Sequence, residues 1–133
     1  MAGAVVVFRD VSQRREADDK LHAALAEVDR LRERLQLDWT RSNVLDIANG
    51  KLTGNVVGEI VDAEVKKQAL LERRDELGIA KEQVIGMGDG ANDLKFMGEC
   101  AVGIAYHAKP VVRARATHAL TYVGLDGVLN LFN

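Results

Sequence analysis

The chain has 133 residues, with 18 basic and 20 acidic side chains and a formal net charge of −2. That length fits one domain able to fold without a disulfide or metal staple, and the near-balance of charge argues against a dedicated nucleic-acid binder. One cysteine, Cys100, excludes an intrachain disulfide framework, no apolar run approaches the ~18 residues of a membrane span, and Arg9 ends the opening apolar run too early for a secretory signal, so the expectation is a cytoplasmic globular protein with no membrane partner.

Ala4 to Phe8 is a β-branched run and reads as a short strand. From Val11 to about Gln36 there is no Gly or Pro, and Leu21, Ala24, Val28, Leu31 and Leu35 recur at steps of three and four. This predicts a long helix with an a/d seam over two heptads, either packed on its own domain or paired with a second copy. Val44 to Ala48 and Lys51 to Val61 flank Asn49-Gly50, a two-residue hairpin signal. Asp62 suits the cap of a helix ending near Leu77, with Gly78 just past its end. Short strands are predicted at Val84 to Met87, Ala101 to Tyr106 and Leu120 to Val123. Helices are predicted between them, from the loop at 88–93 to Glu99 and from Pro110, with a last short one over Gly127 to Phe132. Strand and helix alternating at this spacing means parallel β-α units, hence an α/β fold.

The chemistry concentrates in Gly88-Asp89-Gly90-Ala91-Asn92-Asp93. An apolar strand delivers Asp89 to the carboxyl end of a parallel sheet, where such folds bind ligands, and Asp93 follows within the first helical turn. Hard oxygen donors beside close-approach glycines suit Mg²⁺ and a phosphate that it bridges. Two other readings compete. Gly86-x-Gly88-x-x-Ala91 formally matches a dinucleotide fingerprint, but no acid stands at the end of the next strand, where the sequence is His107-Ala108-Lys109-Pro110. Alternatively, the aspartates only cap a helix.

Gly88-Asp89-Gly90-Ala91-Asn92-Asp93-Leu94 resembles the fourth motif of the haloacid dehalogenase superfamily phosphatases. Ser42-Asn43, Asn49-Gly50-Lys51-Leu52-Thr53-Gly54, Ala63-Glu64-Val65-Lys66 and the run from Gly103 to Pro110 resemble the carboxyl-terminal part of the bacterial phosphoserine phosphatases, over about residues 30–132. The resemblance implies phosphoryl transfer from O-phosphoserine through an aspartyl-phosphate. It implies Asp89 as a Mg²⁺ ligand, Asp93 as support for the metal site, and Asn92 and Asn43 as substrate contacts. Lys66 matches the lysine that neutralises the phosphoryl oxygens. Its neighbour Lys67 points about 100° away on a helix and reads as solvated.

The same resemblance exposes a gap. That family opens with Asp-x-Asp, whose first aspartate is the nucleophile, and no Asp-x-Asp occurs in this sequence. The segment from Gly3 to Ala17 instead resembles the last strand of a PAS sensor domain and the connector helix leaving it. The expectation is therefore an incomplete Rossmann-like haloacid dehalogenase core, a parallel sheet with flanking helices plus a β-hairpin, preceded by a long helix. Its divisions are 1–10, 11–36 and 37–133. Mg²⁺ binding should be weak and turnover by the chain alone absent. The partner would be a homodimer through residues 11–35 or a chain supplying the missing half, and the alternative function is a coiled-coil signalling module. Cys100 reads as a small buried hydrophobe, His107 as a structural hydrogen bonder, Lys109 as a surface lysine and Trp39 as core or gap filler.

Overall fold

The computed structural model describes residues 6–9 and 28–132. The chain divides into two compact units, Met1–Val61 and Asp62–Asn133.

In the first unit, strand β1 (Val6–Arg9) lies parallel to strand β2 (Trp39–Ser42), with Val6 opposite Trp39 and Arg9 opposite Ser42. Residues 28–34 are helical. The helix closes with Leu35 N–H donating to Leu31 O and Leu37 N–H to Arg32 O, and Gln36 turns at φ 53°. Val28 and Leu31 of the predicted seam are half-buried and Leu35 is exposed; the rest of the predicted long helix, residues 11–27, lies outside the described residues. Strands β3 (Val44–Ala48) and β4 (Lys51–Val57) form the antiparallel hairpin expected at Asn49-Gly50. Both turn residues have positive φ, 50° and 72°, the combination of a type I′ turn whose twist matches the strands. The register shifts between Leu45 and Ile47, where Asp46 alone stands against Thr53 to Asn55 of β4, and the Asp46 carboxylate accepts from Thr53 Oγ1 at 2.9 Å. β4 stops at Val57 rather than reaching Val61, because the backbone turns to φ 78° at Gly58.

The second unit begins with helix α1 (Ala63–Leu77), a run of strong helix formers without Gly or Pro. Asp62 caps it as expected, its Oδ1 accepting from the N–H of Glu64 and of Val65 at 2.9 Å each. At the other end Gly78 sits at φ 62°, ψ 32°. Ile79 N–H donates to Arg74 O and Gly78 N–H to Asp75 O, the paired bonds of a Schellman motif. Three parallel strands follow in the order β5 (Ile85–Gly88), β6 (Val102–Tyr106) and β7 (His118–Leu120). Helices α2 (Leu94–Met97) and α3 (Pro110–Arg113) connect them, and the segment Leu125–Leu131 is a 3₁₀ helix. The architecture is thus α/β with a parallel sheet and flanking helices, as expected.

The last strand falls two residues earlier than the predicted 120–123. His107 N–H takes Leu120 O at 2.8 Å, and Tyr122 beyond it is 93% exposed, so the apolar run there leaves the sheet. The core gathers Val84, Phe96, Met97 and Cys100 with Leu70, Ile79 and Ala116 against them, while Ile104 and Ala105 of β6 are fully buried. Gly86 and Gly103 line this core closely. A Cβ on Gly86 would meet Cys100 Sγ at 2.6 Å, and one on Gly103 would meet Met97 O at 3.2 Å.

Candidate functional site

β5 ends at Gly88, and the chain then turns through Asp89 and Gly90 into a single 3₁₀ turn, Ala91–Asp93, that leads into α2. Asp93 N–H bonds to Gly90 O at 3.0 Å, which closes that turn. The two aspartates of the loop then part company. Asp89 and Asn92 are exposed, whereas Asp93 is buried at 6% relative exposure.

The Asp93 carboxylate reaches in three directions. Oδ1 accepts from Lys66 Nζ at 2.8 Å; Oδ2 accepts from the backbone N–H of Asp89 at 3.2 Å and of Gly90 at 3.1 Å. It therefore does cap backbone donors, but those of the loop before it, not those of α2, to which its side chain makes no capping bond. Gly88 makes this possible. A Cβ there would fall on the Asp93 side chain, so only a glycine lets the carboxylate fold under the strand end.

Lys66 arrives from the first turn of α1, where its own N–H bonds to Asp62 O. Its side chain is 13% exposed. Lys67, one residue on, points elsewhere as its 100° offset requires, but it is not solvated as expected: Nζ pairs with Glu99 at 3.2 Å and the side chain is one-third exposed. A third pair, Lys95–Glu64 at 2.9 Å, lies on the surface. Hydrogen bonding between these two lowers the Glu64 carboxyl and raises the Lys95 ammonium from their ordinary pKa values. Three ion pairs thus tie the face of α1 to the segment from Asp93 to Glu99. Sequence reasoning missed the Glu99 and Lys95 pairs. Their only signal was charged residues of opposite sign on α1 and on the segment from Lys95 to Glu99, which does not identify partners.

The remaining candidates divide between structure and site. Asn43, in the first unit, is buried, and its Oδ1 accepts from Val61 N–H at 2.7 Å, which anchors the exit from the hairpin. His107 is structural as expected. It sits at φ 46°, and its Nε2 lies 2.8 Å from Val123 O, which requires the tautomer with hydrogen on Nε2. Cys100 is buried, its Sγ is 3.3 Å from Phe96 O, and burial pushes its thiol up to about 11. Trp39 is half-buried on β2, and Lys109 is exposed at the head of α3.

A fixed ammonium beside a buried carboxylate, next to an exposed carboxylate at a strand end, suits an anion bridged to a hard cation. Among the described residues no group of three or more His, Cys, Asp or Glu side chains gathers as a metal cage. A donor set of one or two carboxylates still fits Mg²⁺, which keeps several waters and draws on substrate phosphate. Among the described residues no helix is long and apolar enough to cross a membrane.

A family model described as haloacid dehalogenase-like hydrolase matches residues 7–132. The phosphoserine phosphatase of Polaromonas sp. is 51% identical over 107 residues, 77% of this chain and 45% of that protein. The phosphoserine phosphatase of Vibrio cholerae is 46% identical over 101 residues, 76% of this chain and 31% of that one. Among solved structures, the unliganded probable phosphoserine phosphatase of Vibrio cholerae aligns with a TM-score of 0.69 at 46% identity, over 76% of this chain and 31% of that one. A substrate-bound phosphoserine phosphatase complex aligns with a TM-score of 0.73 at 32% identity, over 80% of this chain and 50% of that one. The chain spans half or less of the length of these relatives.

Proposed function

The chain belongs to the haloacid dehalogenase-like hydrolases, and from that membership we propose that its second unit carries the lysine-and-metal side of a phosphoserine phosphatase site. The parent reaction is hydrolysis of O-phospho-L-serine to L-serine and phosphate, a cytoplasmic step of serine biosynthesis. The observation that carries this reading is the Lys66–Asp93 pair seated beneath an exposed Asp89 at the end of β5.

The roles are those that the family resemblance implies, and the chemistry of the residues suits them. Lys66, held at 2.8 Å by Asp93, presents a fixed positive charge to the phosphoryl oxygens, where negative charge spreads as the ester bond breaks. Asp89 is the outward carboxylate for Mg²⁺, with Asp93 behind it. The cation, when bound, polarises a phosphoryl oxygen as a Lewis acid. Asn92 contacts the substrate from the exposed turn. For Asn43 the substrate role stands on the family resemblance alone; in the first unit its oxygen holds Val61 N–H.

No Asp-x-Asp is present in the 133 residues, so the two-step route through an aspartyl-phosphate has no nucleophile within them. A second chain bearing that motif is the partner that this reading calls for; a second copy joined through residues 11–35 would make a homodimer but would bring no nucleophile. The alternative, a coiled-coil signalling module following a PAS-like strand, is not favoured, because the relatives that match three-quarters of the chain are phosphatases.

Phosphate release from O-phospho-L-serine with Mg²⁺ tests the proposal. The 133-residue chain releases none above background. Turnover at ordinary enzymatic rates of about 1 s⁻¹ or more would overturn the missing-nucleophile account.

A further inference from the structure

We propose that Asn49 is a site of spontaneous covalent modification, where the Gly50 nitrogen closes a succinimide ring on the Asn49 side chain and water opens it to aspartate or isoaspartate.

The sequence holds three pairs in which Asn or Asp precedes Gly: Asn49-Gly50, Asp89-Gly90 and Asp126-Gly127. In each, a glycine without Cβ leaves room for its nitrogen to approach the preceding side-chain carbonyl. The structure separates the three by what that nitrogen is already bonded to. Gly90 N–H donates to Asp93 Oδ2 at 3.1 Å, and Gly127 N–H donates to Gly124 O at 3.0 Å. Among the described residues nothing accepts from Gly50 N–H. Asn49 and Gly50 are both exposed, so water reaches the amide and the ring. Little holds the turn shut. β3 and β4 form a two-stranded sheet, and neither strand contains a buried residue. A hairpin built this way is marginal and opens locally, which releases Asn49 from its φ of 50° to reach the ring-closing geometry.

Ring closure forms the bond from Gly50 N to Asn49 Cγ. The side-chain nitrogen leaves as ammonia with the proton that Gly50 gives up. One water then breaks either ring C–N bond, its proton going to the Gly50 nitrogen and its hydroxyl to the carbonyl carbon, which ionises as a carboxylate. No oxidant or reductant takes part. Both products add one negative charge to the turn. Isoaspartate also lengthens the main chain by a methylene, so the two-residue turn that sets Ala48 opposite Lys51 no longer fits.

The test is peptide mapping of the whole chain kept in warm, mildly alkaline buffer, with and without denaturing urea. Mass spectrometry reads amide-to-acid conversion at Asn49. A protein isoaspartyl methyltransferase with labelled S-adenosylmethionine reads isoaspartate at all three pairs. Asn49 in the native chain converts within about tenfold of its rate in urea, as an opening of low cost allows. Isoaspartate at Asp89 and Asp126 forms in urea and is suppressed by far more than that in the native chain. Ammonia release from the native chain falls away in Asn49→Asp. Native conversion of Asn49 about a hundredfold or more below the urea rate would show a closed turn and overturn the proposal. Native-to-urea ratios at Asp89 or Asp126 equal to that at Asn49 would overturn the part given to the free N–H. Undiminished ammonia release from Asn49→Asp would place the chemistry elsewhere and overturn it as well.

Discussion

Lys66 and Asp93, 27 residues apart in sequence, meet at 2.8 Å with side chains only 13% and 8% exposed. Burial makes the pair asymmetric in its consequences. Keeping both partners contributes modestly, because each was desolvated to form it, but removing one strands the other.

Lys66→Met should therefore cost about 3 kcal/mol of stability, since Asp93 then keeps its charge in a buried place without that ammonium. The double variant Lys66→Met/Asp93→Asn should cost less than the two single changes together by roughly 1 kcal/mol, the mark of direct coupling. Urea unfolding of the four proteins in the cycle measures both numbers. Additive losses would show that the pair is not coupled.

The loop has a second point of failure at Gly88. Gly88→Ala places a carbon on the Asp93 side chain and should destabilise by about 1–3 kcal/mol, as overpacking does, while lowering divalent-cation affinity. Gly98→Ala is the control. Its Cβ would meet nothing closer than Leu94 O at 3.4 Å, and its backbone is already helical, so stability should hold or rise slightly. Thermal melts of the two variants should separate by several degrees; coincident melts would refute the packing argument.

The loop's outline was visible in sequence because its signals are local. Gly-Asp-Gly followed by Asn-Asp at a strand end, Asp62 before a helical run, Gly78 after it and Asn49-Gly50 between two apolar segments each act within a few residues, and each stands where expected. What sequence does not carry is the partner that arrives from afar. Trp39–Ser42 has no clean alternation, and it becomes a strand because Val6–Arg9 lies beside it. Leu120 to Val123 is rich in strand formers, yet the sheet takes His118–Leu120 because the parallel register with Ile104–Tyr106 ends there. Asp93 read as a metal residue because its neighbours are oxygen donors. That its oxygens would be taken by Lys66 and two amides depends on how α1 packs, which spacing along the chain does not encode.

Cys100 supplies a pH-dependent prediction. Burial first, and the Glu99 charge in addition, raise its thiol to about 11 against 9.0 for the unperturbed group, with Lys81 and Arg74 opposing. As pH rises past 9, the unfolded chain loses this proton before the folded one does, so the unfolded state binds fewer protons and stability falls. This contribution is fully present below pH 9 and is lost progressively between about pH 9 and 11. Cys100→Ala should remove that part of the slope, seen as a flatter stability profile over the same window. In the native chain at pH 8 the thiol should resist alkylation until denaturant is added; rapid labelling without denaturant would contradict its burial.

The most direct test of the phosphatase reading is a ³¹P NMR titration of O-phospho-L-serine with the chain, with and without Mg²⁺. The account predicts a shifted and broadened phosphoserine resonance that requires Mg²⁺, saturates only with cation in roughly the millimolar range, and is lost in Lys66→Met, with no inorganic phosphate signal growing in. A resonance unmoved by the wild-type chain at any Mg²⁺ concentration, or moved equally by Lys66→Met, would contradict it.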